Sequence, residues 1–186
     1  MKVKIINLER RLDRWKSILP QLAAFGITEF ERFNAIEGGF RGFNHSVSQA
    51  LHGEREILIL EDDCIFHGNI DDLIRAKEYL PNDWDCLYLG ANVRSQQRHH
   101  KANIWHCSDA WTSHAILYSD KGAAYVAANF KPETDPIYDE WLRLQSQQNM
   151  KCFIIKPYLA IQAPGQSDIW GTHADYGIKA TEGMLI

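Results

Sequence analysis

Ile57-Leu58-Ile59-Leu60 runs directly into Glu61-Asp62-Asp63, and this junction constrains the fold more than any other part of the chain. Four apolar residues without polar alternation describe a strand covered on both faces, as in a parallel sheet. Three adjacent carboxylates at the end of such a strand repel one another and oppose ionisation, a conflict that a divalent cation with oxygen ligands removes. Alternation along an extended backbone turns Glu61 and Asp63 to one side and Asp62 to the other. A solvated strand end or a helix cap is the commoner use of an isolated acidic triplet, so the surrounding pattern has to decide.

That pattern alternates strand and helix. Lys2 to Asn7 is a strand, and Leu12, Trp15, Ile18, Leu19 and Leu22 recur at helical spacing until Gly26 stops the helix. Glu31 to Ile36 is a second short strand, Gly38-Gly39 a loop, and Ser46 to Leu51 a short helix leading into the Ile57 strand. Asn69 caps a helix with Asp71 and Asp72 in its first turn, and Asp85 to Leu89 is a buried strand. Arg94 to Lys101 is a mobile polar loop, Thr112 to Tyr118 a strand, and Ser119 the cap of a helix through Asn129. Tyr138 to Gln147 is a helix and Cys152 to Ile155 the last strand. The expected architecture is α/β, a mostly parallel central sheet with helices on both faces and a ligand site beyond the carboxyl ends of the strands. At 186 residues, one domain spanning 1–186 is expected.

Composition excludes several classes. A net charge of -4 argues against broad nucleic-acid or anionic-membrane binding. The N-terminus turns charged before a signal-length apolar segment develops, and no later run approaches spanning length, so a soluble cytoplasmic protein with at most peripheral membrane contact is expected. Cys64, Cys86, Cys107 and Cys152 form no C-x-x-C pair and fit reduced, buried thiols.

Several separated stretches, taken in order, resemble the family 25 glycosyltransferases, which include lipopolysaccharide-core and collagen galactosyltransferases. Ile6-Asn7-Leu8 with Arg11 and Asp13-Arg14 is similar to the family's opening signature, Glu31 to Ile36 to its second segment, and Ile57 to Asp63 to its EDD motif. Trp84-Asp85, Ser113-His114-Ala115, Gly122-Ala123, Asp135-Pro136 through Asp139, and Gln162 followed by Ser167-Asp168-Ile169 resemble later landmarks in the same order. The resemblance spans nearly the whole chain. It implies a GT-A-type, Rossmann-like fold and inverting transfer of a sugar from a UDP-sugar to a glycan hydroxyl, with Mn2+ or Mg2+ at the diphosphate. Lipopolysaccharide or another surface glycan is the implied setting, and galactose or glucose the implied sugar.

On that resemblance Asp63 is the first metal ligand and Glu61 the second, either also able to contact the donor ribose, with Asp62 supporting the donor loop. Asn7 and Leu8 frame the base or ribose. Arg11 and Arg14, one helical turn apart, suit a diphosphate, although two solvated helix charges explain them equally well. Inversion needs a base for the acceptor hydroxyl. Asp139 falls where the family carries a late aspartate and Glu140 stands in reserve; both also suit a helix N-terminus. His45 lies where the family shows a Gly-Cys segment ending in Ser-His, but here the Cys is missing and Asn44 replaces Ser, so a donor role competes with a structural one. His173 is a candidate for completing the metal or diphosphate site.

The remaining candidates are weaker. His114 reads as a core histidine, and His99, His100, His106 and Cys107 lack the spacing of a zinc site. Trp105, Trp111, Trp141 and Trp170 suit sugar stacking, yet aromatics more often fill cores. Two other classes use the same features: a silent nucleotide-sugar or glycan-binding module, and a metal-dependent phosphohydrolase.

Overall fold

The computed structural model describes residues 1–175 and Gly177. In chain order the elements are β1 (Lys2–Asn7), α1 (Leu12–Phe25), β2 (Glu31–Asn34), α2 (Gly39–Leu51), β3 (Ile57–Glu61), β4 (Cys64–Phe66), α3 (Ile70–Lys77), β5 (Cys86–Tyr88), β6 (Asn92–Val93), β7 (His99–Lys101), β8 (Ile104–His106), β9 (Ala110–Trp111) and β10 (Ala115–Tyr118). There follow α4 (Asp120–Asn129), α5 (Tyr138–Trp141), a π-helical stretch (Leu142–Ser146), α6 (Gln147–Asn149), β11 (Cys152–Ile155), β12 (Ala160–Gln162), β13 (Gly165–Gln166) and β14 (His173–Ala174).

Eight strands form the central sheet in the order β2-β1-β3-β10-β5-β11-β8-β7. Only β10 and β8 run against the others, so the sheet is mostly parallel in direction. The apolar run of β3 explains itself in cross-section. Ile57 and Ile59 pack with Tyr88, Ile116 and Tyr118 beneath α2, α4 and α5, whereas Leu58 and Leu60 meet Ile18, Leu22 and Phe25 of α1 and Leu73 and Ala76 of α3. Both faces are dry, and each apolar residue buried stabilises by roughly 1.5–3 kcal/mol. No described helix is long and apolar enough to cross a membrane.

Local punctuation agrees with the sequence at several ends. Gly26, at φ 95, closes α1 by donating to the Ala23 and Leu22 carbonyls. Asn69 and Asp72 form a capping box on α3, and the Ser119 hydroxyl accepts the Gly122 N–H on α4. All four cysteines are free and buried.

The differences have identifiable causes. α2 begins at Gly39, well before the expected Ser46. Gly38-Gly39, read as a loop, instead caps and opens the helix, and Gly42 within it permits close approach: a Cβ there would run into the Ile36 carbonyl, and Ser46 Oγ ties the same turn by accepting the Ile36 N–H at 2.8 Å. The strand expected from Thr112 starts only at Ala115, because Thr112 adopts φ 77 and turns the chain first. Part of the expected mobile loop is β7, the edge of the central sheet. The helix from Tyr138 is interrupted by its π stretch. Short strands follow Cys152–Ile155, and β12 pairs with β4, returning the late chain to the carboxylates.

Two of the sequence landmarks form one packing contact. A Cβ on Gly122 would strike the Asp85 backbone, while the buried Asp85 carboxylate accepts the Lys151 N–H at 2.7 Å. Gly122→Ala is therefore expected to cost roughly 2–3 kcal/mol, or about 5–10 °C in Tm. Gly165→Ala, whose Cβ meets nothing within 4 Å, is the control in the same thermal denaturation. Equal melting of the two variants would disprove the contact's weight.

Candidate functional site

β1, β2 and β3 end side by side, and beyond their carboxyl ends lies a half-open cleft. Ile6, Leu8 and Ala35 supply an apolar lining; Glu61, Asp62, Asp63 and Arg14 supply charge. Thr112, Ser113 and Asp139 line it as well, as do Gln162 and the segment from Ser167 to Trp170. The arrangement depends on pairing between distant parts of the chain: β12 brings the Ala163 N–H within 2.8 Å of the Asp63 carbonyl.

The three carboxylates have different surroundings. Asp62 accepts from Asn7 Nδ2 at 2.6 Å and Arg14 Nη1 at 2.9 Å. Asp63 Oδ2 accepts from the same Arg14 nitrogen at 3.1 Å and from Gln162 Nε2 at 3.2 Å. Glu61 accepts from Ser113 Oγ at 2.9 Å. Burial, aided by Asp62, lifts the Asp63 carboxyl to about 6 although Arg14 opposes the rise. Burial lifts Glu61 well above the carboxylate range, with Asp63 and Asp139 adding repulsion and Ser113 opposing it. Arg14 alone does not neutralise this cluster. Asp63 Oδ1 and Gln162 Oε1 are both buried without a hydrogen-bond partner among the described residues. An unpartnered buried oxygen costs about 1–3 kcal/mol, and two on adjoining side chains form a donor set suited to a hard cation.

Asp139 reaches the cleft from the start of α5. Burial raises its pKa, while the Glu140 and Thr112 N–H groups work the other way. Its backbone is held by Asn44, which is fully buried: Oδ1 accepts the Tyr138 N–H at 3.0 Å, and Nδ2 donates to the Pro136 carbonyl at 3.0 Å. The Tyr138 hydroxyl also meets that of Tyr118 at 2.7 Å, fixing α5 to β10.

Of the residues singled out from sequence, Leu8, Arg14, Glu61, Asp62, Asp63 and Asp139 thus share the cleft wall. The others stand elsewhere. Asn7 is buried behind the wall, donating to Asp62 and accepting from Arg32 Nε at 2.9 Å. Arg11 is engaged by Asp13 and by Asp168. Glu140 turns toward Arg143 at 4.0 Å. His45 is half-buried on α2, and His173 is exposed on β14. Neither histidine lines the cleft. Among the described residues, no group of three His, Cys, Asp or Glu side chains forms a ready-made metal cage, the His99–Cys107 region included. His114 is a core histidine, with Nε2 at 3.3 Å from the Ala160 carbonyl.

Gln162, Ser113 and Trp170 gain places in the wall that their own sequence context did not assign. Gln162 and Ser113 were visible only as members of an ordered series of landmarks, and Trp170 as one of several tryptophans.

No protein-family model and no curated protein sequence matches the chain. Among solved structures it is similar to a variant of Drosophila β-1,4-galactosyltransferase 7 in complex with manganese, UDP-Gal and xylobiose. The identity is 11% and the TM-score 0.48, covering 93% of this chain and 69% of that one. HddC from Yersinia pseudotuberculosis is similar at 11% identity and a TM-score of 0.40, over 87% of this chain and 92% of that one. Mouse xyloside xylosyltransferase 1 in its apo form is similar at 11% identity and 0.35, over 91% and 67%.

Proposed function

We propose that this chain is a metal-dependent, inverting glycosyltransferase of GT-A type, a single catalytic domain that moves a hexose from a UDP-sugar to a hydroxyl of a glycan acceptor. One observation carries the reading. A cleft at the carboxyl ends of parallel strands sets Glu61 and Asp63, the latter with an unpartnered buried oxygen, together with a separate half-buried carboxylate, Asp139. The ordered resemblance to family 25 assigns those same positions to donor and base.

Asp63 and Glu61 are the residues to hold Mn2+ or Mg2+, with Gln162 Oε1 beside them. Few protein ligands suffice when the donor's phosphates and water complete the shell, as is usual for Mg2+ at nucleotide sites. The bound ion would stabilise charge on the departing diphosphate as a Lewis acid. Arg14, already against Asp62 and Asp63, supplies a further positive charge at that end of the cleft. Ser113 orients Glu61, and the apolar lining from Ile6, Leu8 and Ala35 suits the nucleoside. Asp139 takes the acceptor hydroxyl's proton as the new glycosidic bond forms. The setting we assign is the cytoplasm, with peripheral contact to a membrane carrying the growing lipopolysaccharide or other surface glycan.

The deciding experiment is a panel of nucleotide sugars with Mn2+, read by thermal shift and by nucleotide release. A UDP-hexose is expected to raise Tm and to release UDP when an acceptor glycan is present. Phosphate release without any acceptor would instead make the protein a phosphohydrolase, and stabilisation with no release under any acceptor would make it a binding module.

A further inference from the structure

Trp170 is the most exposed large apolar side chain among the described residues, at 60%. It also lines the cleft. Leaving an indole in water is unfavourable, and here the backbone is built to hold it there. Ser167 donates its N–H to the Thr172 carbonyl at 2.8 Å, and its hydroxyl accepts from the Ile169 and Trp170 N–H groups at 3.3 and 3.2 Å. Gly171, at φ 67, closes the turn by donating to the Ser167 carbonyl. Asp168 anchors it to Arg10 at 2.8 Å and to Arg11. The indole lies nearly parallel to Phe40, with ring centroids 6.4 Å apart and planes 20° apart. Arg41, stacked on the other ring at 4.6 Å, donates to the Pro132 and Asp135 carbonyls of the segment that leads to Asp139.

We propose that Trp170, backed by Phe40, is the stacking platform for the acceptor, and that the acceptor's terminal unit is a pyranose whose C–H face packs on the indole. The inference rests on the glycosyltransferase reading and extends it by assigning an acceptor subsite. Donor and acceptor have different access needs. The donor's charged end belongs with Glu61 and Asp63, and its base with the apolar lining at the strand ends, so it enters first and lies deeper. The acceptor arrives afterwards at the rim, where Trp170 stands. A rigid indole suits that ligand, since it presents a large apolar face with little side-chain entropy to lose. Hydroxyls on the pyranose rim remain free to face water or Asp139.

The test titrates methyl β-galactopyranoside and methyl β-glucopyranoside into the full chain held with saturating UDP and Mn2+, following tryptophan fluorescence and saturation-transfer NMR of the glycoside. Wild type is expected to show saturable binding of at least one glycoside. Trp170→Ala should weaken it about tenfold or more, Trp170→Phe should recover part of it, and UDP affinity should stay within about twofold in both variants. Thermal melting of the free variants checks folding, and unfolding confined to Trp170→Ala leaves Trp170→Phe against wild type as the deciding pair. Equal glycoside affinity in all three proteins overturns the platform. Loss of UDP affinity in Trp170→Ala also overturns it and makes the indole a nucleobase platform. Binding of UDP but of neither glycoside to wild type defeats this inference alone, whereas failure of UDP itself defeats the glycosyltransferase reading beneath it.

Discussion

Asp139→Asn is expected to lower sugar transfer by about 100- to 10,000-fold while UDP affinity and its metal dependence stay near wild type. The substitution keeps the shape and an oxygen able to accept the Glu140 N–H, now received by Asp139 Oδ1 at 2.8 Å. What it removes is a proton acceptor. Burial makes Asp139 a stronger base than an exposed aspartate, and base strength nearer the working pH favours proton removal in the transition state. The pH profile gives a second readout: the acidic limb of wild-type transfer, where Asp139 is protonated and idle, should vanish from the residual activity of the variant. Glu140→Gln is the control, because its carboxylate is turned toward Arg143; near wild-type transfer is expected. Should Glu140→Gln abolish transfer while Asp139→Asn remains active, the base is Glu140. If neither matters, both carboxylates serve only the start of α5.

The parts of this site that could be read from sequence are those fixed by neighbours in the chain. β1, α1 with its Gly26 stop, and the apolar strand ending in Glu61-Asp62-Asp63 are set by local periodicity and turn chemistry, and the fold reproduces them. Long-range pairing did the rest. Arg11 and Arg14 were expected one helical turn apart; Arg11 is the residue just before α1 and Arg14 lies in its first turn. Yet Asp168, arriving from far along the chain, takes Arg11, while Asp62 and Asp63 take Arg14. Nothing local in Arg11 foretells that division. Trp141 and Trp170 look alike in sequence, but one is 3% exposed in the core and the other 60% exposed at the cleft. Glycine misled for a local reason: its low helix propensity suggested a loop at Gly38-Gly39, whereas the chain enters α2 there and the tight turn from Ile36 needs the missing side chain at Gly42. Asn44 was read as a flaw in a motif; its two hydrogen bonds to the Asp139 segment give it a place that depends on residues about 90 positions away in sequence.

Asp63→Asn should have opposite effects on stability and on ligand binding. The folded-state pKa of about 6 lies above the ordinary aspartate value of 3.8. A raised pKa means that the folded chain holds the proton more tightly, so this group's contribution to stability is fully present below about pH 4 and is lost as pH rises through about 6. At pH 7 the buried charge, beside Asp62 and incompletely compensated by Arg14 and Gln162, is a cost on the order of 1–3 kcal/mol. The neutral amide removes that cost, so the metal-free variant should melt several degrees above wild type at pH 7 and close to it near pH 4. Donor binding should go the other way, with UDP affinity in Mn2+ falling by about 100-fold or more as a charged ligand is lost. In wild type, Mn2+ competes with the proton that Asp63 holds below about pH 6, so its thermal stabilisation should be larger at pH 7 than at pH 5. Calorimetry of UDP binding with Mn2+ and with EDTA, beside melting curves across that range, measures each arm. Equal UDP affinity in EDTA would remove the metal from the donor site, and a variant less stable than wild type at pH 7 would mean that Asp63 serves the fold through Arg14. Only a carboxylate kept for a ligand, against the interest of the empty fold, predicts both signs together.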